Sequence, residues 1–136
     1  MSRRAFPLVF AKDVQASAFF YQRFGFVRHA QNPPTGEPTF VGLRRDDAEI
    51  AVVDLHWPRE RYAGTVGESP RFEFFVFVDD VDATLAELEE TGIQILRSPI
   101  DMPWGERIAY VSDPDGNPVA LASEVPVVPV APDATR

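Results

Sequence analysis

The chain has 136 residues, 45% hydrophobic and 25% charged, which is the length and composition of one ordinary globular domain. It has no cysteine, which excludes disulfides, thiolate metal sites and a cysteine nucleophile. The formal net charge of −8 argues against nucleic-acid binding, because neutralising phosphates requires a basic face. No apolar run approaches the ~20 residues that span a bilayer, so we expect a cytoplasmic protein with no membrane partner.

The chain repeats itself once, at an offset of 67 residues. Residues 9–17 (VFAKDVQAS) align with residues 76–84 (VFVDDVDAT), and Gly25 aligns with Gly92. Each copy therefore begins with an apolar extended run, continues through an aspartate into a helical pattern, and reaches a glycine. The repeat predicts two modules of the same local structure.

Asp13 and Asp80 mark the helix starts of the two modules. Their carboxylates can accept the first free backbone N–H groups of a helix, and apolar residues recur behind them at helical spacing. The glycine that follows each pattern is typical of the left-handed position just after a helix. These signals predict helices over 13–24 and 80–91.

Short apolar runs beside turn-forming residues predict the remaining strands of each module. They cover 26–30, 39–43 and 49–55 in the first copy, and 93–96, 107–111 and 119–123 in the second. Each copy then has the order strand, helix, strand, strand, strand, over residues 5–57 and 71–124. An acidic turn is expected at 113–117, a solvated linker at 58–70, and an extended or disordered Pro-rich tail at 125–136.

One helix can cover only one face of each four-stranded sheet. We expect the other face to curve into a concave cup, and two cups, from one chain or from two, to enclose the functional cavity. Strand alternation places Glu73, Phe75 and Phe77 on one face, with Glu73 and Phe75 as a wall of the cup. If the Glu73 side chain faces the cup, it would bind a cationic or hydroxyl group of a ligand or act as a general base. If it faces solvent, it would have no specific role.

The repeat, the stretch FYQRFGF at 20–26 and the turn DPDGN at 113–117 resemble the glyoxalase/bleomycin-resistance/dioxygenase superfamily, also called vicinal oxygen chelate proteins. The resemblance covers residues 5–124. It implies an α+β fold, with two βαβββ modules forming curved mixed sheets in a single domain over 1–124. It also implies a homodimer whose cavities combine modules from both chains.

The resemblance further implies positions for a divalent metal, held by His and Glu on the first and last strands of each module. Counted from the helix caps and the acidic turn, those positions hold Phe6, Ala51 (or Val53), Glu73 and Ala120. Catalytic metal sites typically take three His, Asp or Glu ligands, and one carboxylate is too few. His29 and His56 lie elsewhere and are interpreted as packing or surface residues. We therefore expect neither a metal nor another cofactor.

Two stretches are similar to the bleomycin-binding branch of the superfamily: MPWG at 102–105 before a strand, and FVGLRRDD at 40–47. In that branch, aromatic residues at the positions of Phe40 and Trp104 form a slot that stacks a flat ligand. Alternatively, Phe40 is a core residue and Trp104 only closes the mouth of the cup against its own loop. The candidate ligand-binding residues are Phe6, Phe40, Glu73, Phe75, Trp104 and Tyr110.

Three hypotheses for function follow. The first is a metal-free, homodimeric protein without catalytic residues that sequesters an aromatic, cationic small molecule such as an antibiotic. The second is a lyase or dioxygenase-type enzyme on the same scaffold, with Glu73 as its base or its remnant metal ligand. The third is an interaction module without a small ligand, whose cavity is filled by its own side chains.

Overall fold

A computed structural model describes residues 2–68 and 70–126, so most of the predicted tail lies outside the described residues. The chain divides into two compact units. Unit 1 comprises the described residues of Met1–Phe72 together with Asp113–Asn117, and unit 2 comprises those of Glu73–Ser112 and Pro118–Arg136. The turn between the last two strands is thus counted with the first unit.

Unit 1 contains one four-stranded sheet with the order β1-β4-β3-β2. Its elements are β1 (Leu8–Ala11), α1 (Val14–Gln22), β2 (Val27–Asn32), β3 (Phe40–Arg45), β4 (Ala48–Asp54) and α2 (Trp57–Tyr62). The β1–β4 pair is parallel, and the other two pairs are antiparallel. The sheet is therefore mixed, as the βαβββ pattern requires.

Unit 2 repeats this topology with the strand order β5-β8-β7-β6. Its elements are β5 (Phe74–Phe77), α3 (Val81–Glu90), β6 (Ile95–Met102), β7 (Glu106–Ser112) and β8 (Pro118–Glu124). The β5–β8 pair is parallel and the others are antiparallel. The predicted α+β fold of two βαβββ modules is confirmed.

Both module helices begin at the predicted aspartates. The Asp13 carboxylate accepts a hydrogen bond from the Ala16 N–H at 3.0 Å, and Asp80 accepts one from Ala83 at the same distance. The glycine after each helix adopts a positive φ, 86° at Gly25 and 84° at its repeat partner. Residues other than glycine rarely adopt this conformation, so glycine at these two positions allows the chain to turn left-handed and end the helix.

The prediction that 58–70 is linker throughout was wrong at its start, because α2 occupies Trp57–Tyr62. Pro58 lies in its first turn, where a missing N–H costs nothing. The helix ends at Ala63, which takes the left-handed conformation (φ 56°) that glycine usually supplies. Among the described helices, none has the length and apolar character needed to cross a membrane.

The turn Asp113–Asn117 forms as predicted and packs against α1 within unit 1. The Asp113 Oδ1 atom accepts the backbone N–H groups of Asp115 and Asn117, at 2.9 and 2.8 Å. Its Oδ2 atom accepts the Tyr21 hydroxyl at 2.7 Å, while Asp115 accepts the Ser17 hydroxyl at 3.1 Å. The two turn aspartates thus hold the turn's shape and also bind it to the helix.

Candidate functional site

The side-chain contacts identify which face of the unit 1 sheet carries its helix. Arg28 of β2 donates hydrogen bonds to Gln15 and Gln22 of α1, and its guanidinium lies 5.2 Å from the centre of the Phe19 ring. Arg28 pairs with Leu43, so α1 covers the face of the sheet that carries Leu43. The residues that alternate with these lie on the opposite face, which we call the helix-free face of unit 1 because α1 does not cover it.

The first-module positions implied for a metal hold apolar side chains. Ala51 of β4 is buried and pairs with Leu8 on one side and Gly42 on the other. Val53, the alternative position, is also buried, and Phe6 precedes β1 with the Arg4 guanidinium 5.2 Å from its ring centre. None of these side chains has a donor atom for a cation.

The helix-free face of unit 2 is apolar and aromatic. Arg107 of β7 donates to Asp82 of α3 at 2.8 and 3.0 Å, which places the helix on the face that carries Arg107. On the opposite face, the buried residues Ile108, Ala120 and Ala122 form a cluster. The partly buried side chains of Met102 and Tyr110 pack against that cluster. The face therefore has a floor of small side chains bordered by larger ones.

Two phenylalanines of β5 border that floor. Phe75 pairs with Ala120 and Phe77 pairs with Ala122. Their ring centres lie 5.7 Å apart, and the residues are 45% and 42% exposed. Large aromatic side chains this exposed beside an apolar cluster are typical of a ligand-binding surface.

The two other candidates of unit 2 lie outside its strands. Glu73 precedes β5 and is exposed. Trp104, in the β6–β7 turn, is 59% exposed, and its indole N–H donates to Glu106 at 2.8 Å. Phe40, its partner in the predicted slot, belongs to unit 1.

Phe40 stacks within its own unit on a residue that the sequence analysis missed. Its ring centre lies 5.9 Å from that of Trp57, at an interplanar angle of 32°. The Arg61 guanidinium lies 4.3 Å from the centre of the Trp57 ring. The signal available in the sequence was the Trp–Arg spacing of four residues, which places the two side chains on one face of a helix.

A second missed feature of unit 1 is a cluster of charged and polar side chains around Glu49. Arg4 donates to both carboxylate oxygens, and the Arg44 Nε lies 3.5 Å from Oε1. His29 Nε2 lies 3.5 Å from Oε2, although His29 was predicted to be only a packing or surface residue. The hydrogen bond from Arg4, with smaller charge contributions from Arg4, Arg44 and His29, lowers the pKa of Glu49 to about 2. Glu49 is therefore an ionised carboxylate in a largely covered position.

The donor set does not fit a divalent metal. In the described part of the chain, no three His, Cys, Asp or Glu side chains lie close enough together to hold a metal ion. Ala120, at the last-strand position, belongs to the apolar cluster, and Glu49 is already bound by two guanidinium groups.

The two units differ strongly in charge. Unit 1 carries ten Asp and Glu side chains and ten Lys and Arg. Residues 73–112 and 118–126 of unit 2 carry ten acidic side chains and only two arginines. The net negative charge of the protein is thus concentrated in the unit whose helix-free face is apolar and aromatic.

Three solved structures illustrate the proteins that share this fold. TioX from Micromonospora sp. ML1 superimposes with a TM-score of 0.72 at 21% identity, covering 91% of this chain and 100% of that one. Lactoylglutathione lyase from Agrobacterium tumefaciens gives 0.67 at 21% identity, with 90% and 94% covered. A bleomycin resistance determinant encoded on the transposon Tn5 gives 0.60 at 22% identity, with 90% and 98% covered. At these identities the likeness shows the fold alone.

The sequence itself also matches a family model. The model is described as the Glyoxalase/Bleomycin resistance protein/Dioxygenase superfamily, and it matches residues 5–121. A search of curated proteins found no match to this chain. Since the family model covers both modules, the chain belongs to the glyoxalase/bleomycin resistance protein/dioxygenase superfamily.

Proposed function

We propose that the protein is a metal-free, homodimeric binding protein that sequesters an aromatic, cationic small molecule such as an antibiotic. One observation carries this proposal: the helix-free face of unit 2 is an apolar floor bordered by the exposed rings of Phe75 and Phe77. The superfamily includes bleomycin resistance proteins and lyases, and this face has the chemistry of binding rather than of metal coordination.

The face favours flat aromatic ligands for a physical reason. The alanines at 120 and 122 are fully buried, so the surface open to a flat ligand is formed by the exposed rings of Phe75 and Phe77. Each aromatic contact with a border residue contributes about 0.5–1.5 kcal/mol beyond the area it buries. The excess of acidic side chains in unit 2 attracts cations and increases their rate of association. Binding of this kind needs no bond chemistry, because it acts by keeping the compound from its target.

The enzyme hypothesis has less support from these residues. Glu73, its proposed base or metal ligand, precedes β5 and is exposed, and among residues 2–68 and 70–126 it belongs to no group of three His, Cys, Asp or Glu side chains that could hold a metal ion. A lyase or dioxygenase of this superfamily would need donors that the apolar floor lacks. Elemental analysis of protein purified without chelators separates the two functions, since a stoichiometric divalent metal would favour the enzyme.

Tryptophan fluorescence provides the binding test, with bleomycin and the planar cation 10-methylacridinium as ligands. We expect saturable binding by at least one of them, and about ten-fold weaker binding by Phe75→Ala, which corresponds to ~1.4 kcal/mol. Phe19→Ala is the matched control, because Phe19 is an exposed phenylalanine on α1, and it should bind as the wild type does. If the tryptophan fluorescence does not change with either ligand, the proposed function is contradicted.

A further inference from the structure

We propose that His29, which lies beside Glu49 on the helix-free face of unit 1, binds a ligand by accepting a hydrogen bond from an N–H group on a planar aromatic ring system. This surface belongs to unit 1, whereas the face of the proposed function belongs to unit 2. The inference therefore adds a second binding surface, for a planar compound with an amine, amidine or ring N–H donor.

The backbone of unit 1 creates a place for the imidazole. The β2–β3 register shifts between Arg28 and Ala30, so His29 is the extra residue of a β-bulge. Its ring occupies space above Gly42 of β3, where an added Cβ would lie 2.9 Å from Nε2 and 3.3 Å from Cε1. Bulges commonly redirect a side chain beside a functional site, and here the glycine opposite makes room for it.

The carboxylate of Glu49 determines which ring nitrogen carries the proton. An ionised carboxylate can only accept hydrogen bonds, and it lies 3.5 Å from Nε2. A proton on Nε2 is attracted to that charge, whereas a lone pair there would be repelled. The Glu49 side chain is 8% exposed and is bound by Arg4 and Arg44, so its position is fixed. The neutral imidazole therefore keeps its proton on Nε2 and has a lone pair on Nδ1.

That lone pair is available to a ligand. No hydrogen bond to Nδ1 is made within residues 2–68 and 70–126, and 23% of the His29 side chain is exposed. Phe40, two residues before Gly42 on β3, lies on the same face and continues the surface with its stacked partner Trp57. An acceptor beside an aromatic surface selects a flat ring that carries a donor at its edge.

Two acridine dyes test this selectivity. 9-Aminoacridine and 10-methylacridinium are both planar cations, but only the former has N–H donors. At pH 8, we expect the wild type to bind 9-aminoacridine about 3- to 10-fold more tightly than 10-methylacridinium. His29→Phe should bind the two dyes equally, His29→Gln should regain part of the preference through its amide oxygen, and His56→Phe should keep all of it.

The outcomes separate this inference from the proposed function. Equal binding of the dyes by the wild type, or a preference retained by His29→Phe, overturns the role of His29 and leaves the proposed function standing. If neither dye binds, the role of His29 and the proposed binding of planar cations are both overturned. If His29→Phe does not fold, long-range ¹H–¹⁵N spectra of the wild type give the answer. The Nδ1 resonance must shift with 9-aminoacridine and not with 10-methylacridinium, and the absence of that difference overturns the inference.

Discussion

Tyr21 and Asp113 form a buried hydrogen bond in unit 1, and Tyr21→Phe removes it without changing the size of the ring. The hydroxyl donates to Asp113 Oδ2 at 2.7 Å, and both residues are buried. Burial, followed by the charge of Asp113, raises the pKa of Tyr21 well above its usual range, so the hydroxyl remains a donor. Loss of a hydrogen bond to a buried charged group costs about 2 kcal/mol.

Urea denaturation followed by circular dichroism measures this loss directly. For a chain of this length, ~2 kcal/mol corresponds to a fall of roughly 7 °C in Tm. The Asp113 carboxylate keeps the N–H groups of Asp115 and Asn117, so the turn should still form and the urea m-value should not change. Tyr62→Phe is the control, since Tyr62 is 64% exposed and its replacement should alter stability by less than ~0.5 kcal/mol. A Tyr21→Phe protein as stable as the control variant would refute the reasoning.

Two further predictions concern other contacts of unit 1. Because the hydrogen bond from Arg4 lowers the pKa of Glu49 to about 2 from an ordinary value of 4.5, the ionised carboxylate stabilises the fold above pH 4.5 and loses that effect as the pH falls towards 2. Glu49→Gln should therefore lower Tm at neutral pH and show a flatter fall across this window, and parallel Tm–pH curves would contradict it. Arg61→Ala removes the cation over Trp57 and should cost about 0.5–1 kcal/mol, with a shift of tryptophan emission to longer wavelength. Unchanged emission would show that the contact is not maintained in solution.

The repeat made most of the fold predictable from sequence. Capping aspartates and terminal glycines are local signals, since they act on the backbone within one turn, and both module helices begin and end close to them. The helix α2 was missed for the same reason. It has six residues, no side-chain cap at His56, and Ala63 where a glycine would have marked its end. Its only local signals are Pro58 in the first turn and the four-residue spacing of Trp57 and Arg61, and these are too weak to distinguish it from a charged linker.

The candidate site was less predictable, because its contacts depend on register. Strand alternation predicts that Phe75 and Phe77 share a face, but the pairing of Phe75 with Ala120 requires the register of β5 on β8. The approach of His29 to Glu49 depends on a bulge in β2, and a one-residue shift changes the face on which a side chain lies. The contact between the Phe40 and Trp57 rings depends on the helix α2, which was not predicted from the sequence. Without the strand register, the sequence gives no indication that these polar and aromatic residues contact one another.

The two modules share their fold because the residues that specify it are not those of the helix-free faces. Caps, terminal glycines and the helix-facing apolar residues recur in both copies, and they are sufficient to place four strands and a helix. The opposite faces are then free to diverge. In unit 1 that face carries an ionised carboxylate with bound arginines and an imidazole, in a unit whose charges balance. In unit 2 it carries alanines and exposed phenylalanines within an excess of acidic side chains. One duplicated scaffold therefore presents two surfaces of different chemistry, one suited to binding a polar group and the other to stacking an aromatic ring.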